Sequence, residues 1–336
     1  MGVVHRSAVG RPRNGPGRHA GEVNPKLRII AGRQGGVFSR RQAMASGYTP
    51  RQIVDRLDDG RWERIRRGQY AERLDTSALP HWEKQRTAHI RAIHAVLNSL
   101  RDGSVVVSHQ SALALHGLPL WGLDLARVHV TRVSDRSGGL VAGVVHHLGR
   151  LSPADLVHVD VPATTALRAM VETACTAPFK AAVVSADAVL RAHGSDEENL
   201  RRLMQEFEFW PGSPTARAAV GFADPLSESV GESRLRVLMH QFDLPRPILQ
   251  AEFADADGFV GRVDFYFPSY NTVVEFDGLL KYGGVGSEAL VREKHREDRL
   301  RALGLEVVRS TWSDFDRPAH LADRIRQAFT RPNRAA

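Results

Sequence analysis

Residues 261–282, in the last third of the chain, read GRVDFYFPSYNTVVEFDGLLKY. The first half of this stretch alternates apolar with polar side chains, which predicts a half-buried strand over residues 259–267. The run TVVEFD at residues 272–277 is nearly all apolar and predicts a central strand that is covered on both faces. Two strands of these types side by side predict a sheet with a buried interior.

The flanking sequence completes a pattern of alternating helices and strands. A helix capped by Ser227 and a strand over residues 248–253 precede the quoted stretch. A charged helix over residues 287–303, a parallel strand over 305–309 and a helix over 321–329 follow it. The order αβββαβ with a last helix predicts an α/β (α+β) domain over residues 227–330.

Three carboxylates interrupt these apolar strands. Glu275 and Asp277 share a face because strand side chains repeat every two residues, and Asp264 lies on the adjacent antiparallel strand. Clustered carboxylates repel one another unless a cation neutralises them, and oxygen ligands suit Mg²⁺, with Mn²⁺ as a second possibility. A fourth acid, Glu232, lies on the preceding helix, where it either joins this group or pairs with Arg236 at i+4.

The charged helix offers a second set of candidates. Arg292, His295 and Arg299 fall on one stripe, which suits contacts with DNA phosphates. The alternative is a solvated charged face, since alternating charges on a helix are typical of one.

These segments resemble the domain family related to very-short-patch-repair (Vsr) endonucleases, in GRVDFYFPSYNTVVEFDGLLKY and in EKHREDRLRALGLEVVRSTW at residues 293–312. The resemblance spans residues 224–325 and implies a PD-(D/E)xK core, Mg²⁺ and hydrolysis of DNA phosphodiester bonds. The catalytic positions that it implies here are Asp264, Glu275, Asp277 and Lys281, with Glu232 as a further candidate. Asp277 stands where the general scheme has Lys, which leaves proton transfer to Lys281. An inactive, degenerate copy is the alternative.

The N-terminal region carries the positive charge of the chain. The net charge is +8, and residues 1–73 hold 16 Lys/Arg against 6 Asp/Glu. Residues 1–26 are rich in Gly, Pro and Arg and are predicted to be a disordered basic tail, or a segment without a role if the start codon is assigned too early. A concentrated positive charge indicates a polyanionic partner such as DNA.

Residues 27–75 are predicted to form a winged helix. Ser39 caps a short helix that ends near Gly47, and Thr49 followed by Pro50 starts a second helix. Gly60 ends that helix, and residues 61–71 alternate as a hairpin. Two short helices followed by a basic ribbon are the order of a helix–turn–helix with a wing.

This region resembles the start of AbiEi-type antitoxins in GVFSRRQAMASGYTPRQIVDRLDDGRWERIRRGQYA at residues 36–71, and a middle region resembles the same proteins in VVSHQSALALHGLPLW at residues 106–121. Such antitoxins bind their own promoter DNA and neutralise a nucleotidyltransferase toxin. The resemblance therefore implies DNA and a cognate toxin, or a second copy of the chain, as partners. The candidate DNA contacts are Arg40, Arg41, Arg51, Gln52, Arg64, Arg66 and Arg67.

Between these regions we expect a middle α/β domain over residues 80–205 and a linker over 206–226, which is rich in Pro and Gly. His109 and His116 lie seven residues apart with no third ligand near them in sequence, so packing or capping is the expected role. His146 and His147 lie on opposite faces of a strand and cannot chelate one ion together. The single cysteine, Cys175, excludes an intramolecular disulfide and favours the reducing cytoplasm. No apolar run is long enough to predict a membrane span.

Overall fold

The structure is a computed structural model that describes residues 23–100, 103–133, 138–194, 196–278 and 287–331. The chain divides into two compact units, residues 1–74 and 75–336, which are described separately. The sequence-predicted basic tail at 1–26 lies largely outside the described residues, and so does Lys281. Among the described helices, none is both long enough and apolar enough to cross a membrane. The overall class is mixed α/β, as predicted.

The N-terminal unit is a three-stranded antiparallel sheet with three helices. Its elements are α1 (Pro25–Gly32), β1 (Val37–Ser39), α2 (Arg40–Ala45), α3 (Pro50–Asp58), β2 (Trp62–Arg66) and β3 (Gln69–Glu72). The sheet order β1-β3-β2 places the hairpin strand β3 in the centre. Leu27, Phe38, Ile53 and Trp62 are fully buried and form the core.

The predicted helix starts are confirmed in this unit. The Ser39 hydroxyl accepts a hydrogen bond from Gln42 N, and the Gln42 side chain accepts one from Ser39 N. Thr49 and Gln52 form the same reciprocal capping box at α3. The short strand β1 was not predicted, because three residues are too few to show an alternating pattern.

The second unit begins with a six-stranded mixed sheet and its helices. The first elements are α4 (His81–Leu97), β4 (Val105–Val107), α5 (His109–Leu115), β5 (Val128–Arg132), β6 (Gly139–Val141), β7 (Val144–His147), β8 (Leu156–Val159), β9 (Val161–Thr164), α6 (Ala166–Thr176), α7 (Phe179–His193), α8 (Glu197–Glu206) and α9 (Ser213–Phe222). The strand order is β6-β7-β5-β4-β9-β8. Residues 141–147 belong to the β6–β7 hairpin, because Ala142 and Gly143 turn the chain at positive φ.

Part of the predicted linker over residues 206–226 is helical, because the segment contains α9. Ala216 and Ala219 of α9 are fully buried against Ala182, Val183 and Val237. Small side chains allow close helix packing, and the Pro and Gly residues that suggested a linker instead start the helix. Pro214 lies in its first turn, and Gly212 at φ +81° precedes it.

The rest of the unit has the predicted order αβββαβα. Its elements are α10 (Val230–Gln241), β10 (Ile248–Asp255), β11 (Gly258–Phe267), β12 (Thr272–Asp277), α11 (Ser287–Ala302), β13 (Glu306–Thr311) and α12 (Pro318–Phe329). The sheet order is β10-β11-β12-β13, and only the β12–β13 pair is parallel. Ser229, rather than Ser227, caps α10 through Glu232 N.

The two faces of this second sheet have separate cores. Phe265, Val274 and Leu238 pack on the face that α10 and α12 cover. Val263, Val273 and Leu300 pack on the other face, under α11. Because side chains alternate along β12, Glu275 and Asp277 lie on the α11 face together with Val273.

Candidate functional site

A cluster of exposed arginines surrounds the turn between β2 and β3. Arg40 N donates to Gly68 O at 3.0 Å, which holds the first turn of α2 beside this turn. The side chains of Arg40, Arg41 and Arg67 are exposed, and these three residues are called the basic patch below. Gly68 has φ +77°, a conformation that side-chain-bearing residues rarely adopt, so the sequence Arg67-Gly68 suits the tight turn.

The other predicted DNA contacts of this unit have different surroundings. Arg64 is exposed, whereas Arg66 is half-buried and its burial lowers the pKa of the guanidinium. Arg51 Nε pairs with Asp55 Oδ1 at 3.0 Å on the surface of α3. Gln52 is exposed, but its side-chain oxygen is used by the capping box. Among the predicted contacts, the basic patch and Arg64 therefore carry the positive charge that is least engaged in contacts within the protein.

In the second unit, the buried carboxylate of Glu275 lies between two arginines. Arg296 Nη2 of α11 donates to both Glu275 oxygens at 2.8 and 2.9 Å. Arg309 Nη2 of β13 lies 3.5 Å from Glu275 Oε2. Burial raises the pKa of Glu275, and the two guanidinium groups offset part of that increase. The arginines therefore supply the positive charge that the sequence suggested a metal ion would supply.

Arg309 connects further acids on the same face. Its Nη1 donates to Asp277 Oδ2 at 2.9 Å, and its Nε donates to Glu297 Oε2 at 2.9 Å. It also pairs with Glu293. Hydrogen bonds from Arg296 and Arg309 lower the pKa of Glu293 to about 2. These four acids and two arginines are called the acid–arginine network below: Glu275, Asp277, Glu293, Glu297, Arg296 and Arg309.

Asp264 has a different role from its two predicted companions. Its Oδ2 accepts a hydrogen bond from Phe276 N at 2.8 Å, next to the point where the β11–β12 ladder ends at the Phe265–Val274 pair. The ligand atoms of Asp264, Glu275 and Asp277 do not all lie within 4.8 Å of one another. With arginines on Glu275 and Asp277 as well, the three carboxylates as placed do not fit one shared magnesium ion.

Glu232 is a buried acid with partners that the sequence did not suggest. Its Oε2 accepts hydrogen bonds from Glu228 N at 2.8 Å and from Gln250 Nε2 at 3.0 Å. Of the two alternatives for Glu232, the pairing with Arg236 at i+4 is wrong, because Arg236 donates to Asp187 instead. Burial raises the pKa of Glu232. Glu232 therefore lies beside β10 as a buried hydrogen-bond acceptor.

Gln250, the donor to Glu232, occupies a strained position within β10. Its φ is +53°, and Leu249 and Ala251 on either side of it pack in the cores of opposite sheet faces. Asp264 is the residue opposite Gln250 in the β10–β11 register, which is regular at the flanking pairs. Strained backbone of this kind costs of order 1–3 kcal/mol and often occurs near functional groups. No alternation pattern could have revealed it.

The predicted phosphate-contacting stripe of α11 is only partly available. Arg292 and His295 are exposed, whereas Arg299 pairs with Asp255 through its Nε at 2.7 Å. Arg296, one position from this stripe, is the residue that contacts Glu275. The sequence showed only alternating charge along α11. Matching the arginines of α11 and β13 with the acids of α11 and β12 could have suggested the acid–arginine network.

Comparison with known proteins gives one family match. Residues 25–73 match the family model described as "Transcriptional regulator, AbiEi antitoxin". The matched residues coincide with the described part of the N-terminal unit, from the start of α1 to the end of β3. The N-terminal resemblance predicted from sequence is therefore confirmed for this region.

Two relatives match most of the chain, and their names give no activity. The chain is 28% identical over 244 residues to the uncharacterized proteins MT2308 and Rv2248 of two Mycobacterium tuberculosis strains, with 72% of this chain and 87% of each relative covered. A solved structure, that of the RV2827C protein from Mycobacterium tuberculosis, aligns with a TM-score of 0.35 at 14% identity and covers 68% of this chain and 87% of its own.

Proposed function

We propose that the protein is a DNA-binding transcriptional regulator of the AbiEi antitoxin kind, which contacts DNA through its N-terminal unit. The observation that carries the proposal is the basic patch on a helix–helix–hairpin unit whose residues 25–73 match that family. Arg40, Arg41 and Arg67 are exposed around one turn, where three positive charges can meet neighbouring phosphates.

Sequence readout then belongs to α3, which follows the helix–turn–helix order. Its exposed side chains include Arg51, Gln52 and Val54. Arg51 can exchange Asp55 for a phosphate or base edge at low cost, because surface ion pairs stabilise a protein by only about 0–1 kcal/mol. Phosphate contacts from the basic patch would fix the position of α3 without reading the sequence themselves.

Antitoxin action extends the same proposal to a protein partner. A cognate toxin, or a second copy of this chain on a two-fold symmetric DNA site, is the expected partner. A cytoplasmic location follows from a DNA-bound role and agrees with the single cysteine.

The test is binding of the full chain to a fluorescent duplex that carries the upstream region of its own gene. We expect the triple variant Arg40→Ala/Arg41→Ala/Arg67→Ala to lose at least tenfold in affinity, since each lost phosphate contact weakens binding. The control is Arg201→Ala/Arg217→Ala, which removes exposed charge from α8 and α9. Equal affinities of the triple variant and the control would reject the proposal.

Endonuclease activity is a second candidate. The observation that favours it is the group of buried or half-buried acids Asp264, Glu275 and Glu232, of which Glu232 accepts a hydrogen bond from the strained Gln250. Burying carboxylates and straining backbone both cost stability, which a catalytic role would explain. Activity would require Glu275 and Asp277 to exchange their arginine partners for a metal ion.

A nicking assay on supercoiled plasmid tests this second candidate. Cleavage in Mg²⁺ that is absent in EDTA and lost in Asp264→Asn would support it. No cleavage by the wild-type chain in Mg²⁺ or Mn²⁺, at concentrations where it binds DNA, would contradict it and favour the regulator with an inactive domain.

A further inference from the structure

Three histidines from separate elements lie close together beside the six-stranded sheet of the second unit. His109 begins α5, and His129 and His147 lie on the neighbouring parallel strands β5 and β7. One ligand nitrogen from each lies within 4.8 Å of the other two. The sequence shows no third ligand near His109 and His116, because His129 and His147 lie 20 and 38 residues after His109.

The cluster is shielded from solvent and its imidazoles are neutral. His109 and His129 are buried, and His147 is half-buried. Burial lowers the pKa of His129 to about 3 and that of His147 to about 4. Burial, together with the two neighbouring histidines, also lowers the pKa of His109 well below its usual value. Neutral imidazole is the form that coordinates a metal ion, so no proton has to leave at neutral pH.

His109 has a hydroxyl and an acid beside one of its two nitrogens. Its Nδ1 lies 3.0 Å from Ser108 Oγ and 3.6 Å from Glu172 Oε2, and its backbone N donates to the same Glu172 oxygen at 3.1 Å. Arg168 in turn donates to Glu172 Oε1 at 3.0 Å. A proton on Nδ1 is stabilised by these partners, which leaves Nε2 with its lone pair.

The backbone at His109 is strained. Its φ is +54°, in the left-handed region that residues with a side chain seldom adopt. The buried Glu172 carboxylate holds this conformation through the backbone hydrogen bond. A strained residue that presents a side chain to two other histidines is typical of a built site rather than of simple core packing.

We propose that His109, His129 and His147 bind a divalent transition-metal ion, Zn²⁺ in the first place, as a three-histidine site with an open fourth position. All-imidazole ligands suit zinc rather than magnesium or calcium. A site with three protein ligands and one exchangeable position can also hold water or a substrate atom.

Coordination replaces two contacts in the metal-free cluster. His129 Nδ1 and His147 Nε2 lie 2.9 Å apart and share a hydrogen bond, and the rings of His109 and His147 are stacked at 3.6 Å between centroids. A metal ion takes the place of the shared proton between His129 and His147, and His109 turns out of the stack to bring its Nε2 to the ion. That proton moves to the other nitrogen of its own imidazole ring, so the ring stays neutral and no proton is released.

The test is titration of the dialysed full chain with Zn²⁺ by calorimetry and with Co²⁺ by visible absorption. We expect one ion per chain and the intense d–d bands of tetrahedral Co²⁺. The variant His147→Gln should lose at least about a hundredfold in Zn²⁺ affinity, since outer partners alone contribute 10–100-fold. The control is His146→Gln, because His146 adjoins His147 but points to the opposite face of β7.

Weak binding of several Zn²⁺ ions that His147→Gln does not change would overturn the proposal, because surface groups would then hold the metal. Only octahedral Co²⁺ spectra from the wild-type chain would overturn it too, and this outcome does not depend on whether any variant folds. Retention of the Co²⁺ bands by His146→Gln together with their loss in His147→Gln would support it.

Discussion

Arg236 of α10 and Asp187 of α7 form a buried ion pair, with Arg236 Nη2 at 2.7 and 2.9 Å from the two Asp187 oxygens. Arg236 Nη1 also donates to Phe222 O at the end of α9, at 2.7 Å. This pair joins the helices that follow the six-stranded sheet to the first helix of the αβββαβα region. Val237 of α10 packs against Ala182 and Val183 of α7 in the same region, so apolar packing accompanies the ion pair.

We expect Arg236→Met to lower the free energy of unfolding of the full chain by about 3–5 kcal/mol, because it leaves the Asp187 carboxylate buried without its cation. Urea denaturation followed by circular dichroism measures the change. The control is Arg301→Met, whose exposed pair with Glu297 should contribute less than about 1 kcal/mol. Equal losses in the two variants would contradict the role given to the buried pair.

Gly231 of α10 has no room for a side chain. A Cβ atom there would lie 2.0 Å from Cε1 of Phe276, the residue next to Glu275. Gly231→Ala should therefore destabilise the protein by about 1–3 kcal/mol or more, through overpacking. Gly221→Ala in α9 is the matched control, since nothing lies within 4 Å of its Cβ position, and it should stabilise by about 0.5–1 kcal/mol. A neutral Gly231→Ala would show that Phe276 moves freely.

Much of this architecture was predictable, because it rests on local chemistry. The capping residues Ser39 and Thr49 and the central strand Thr272–Asp277 stand where the sequence placed them. The arrangement around Asp264 was not predictable. At the strained Gln250, the side chains of β10 and β11 change from one face of the sheet to the other, and the alternation of apolar and polar residues does not show this change. The histidine cluster was missed because its members are distant in sequence, and α9 because Pro and Gly also start helices.

The acid–arginine network gives a further stability prediction. Arg309→Met removes the Arg309 guanidinium from Asp277, Glu275 and Glu293, and only Glu275 and Glu293 keep their contact with Arg296. The free energy of unfolding should therefore fall by about 2–3 kcal/mol, the range for lost charged hydrogen bonds. Thermal melting in EDTA, compared with Lys294→Met on the exposed face of α11, measures it. A melting temperature equal to that of the control would mean that solvent replaces Arg309 at no cost.

The stability of the protein should depend on pH through His147 of the histidine cluster. Burial, with a smaller contribution from His146, lowers the pKa of His147 to about 4 in the folded chain, against 6.5 when unfolded. Between these values the unfolded state binds more protons, so stability falls as pH drops from 6.5 towards 4. One pKa unit corresponds to about 1.4 kcal/mol. As the pH falls from 7.5 to 5, the free energy of unfolding of the wild-type chain should therefore decrease by about 1–2 kcal/mol more than that of His147→Gln. Urea denaturation in metal-free buffer measures this, and parallel pH profiles would contradict it.

We propose that the basic patch on the N-terminal unit contacts DNA phosphates. The most direct measurement is the salt dependence of duplex binding by the full chain and by Arg40→Ala/Arg41→Ala/Arg67→Ala. Each phosphate contact adds about 0.9 to the slope of log K against log salt concentration, so the triple variant should have a slope shallower by about 2–3 than the wild-type chain. The Arg201→Ala/Arg217→Ala control should keep the wild-type slope. Identical slopes for all three proteins would contradict the claim.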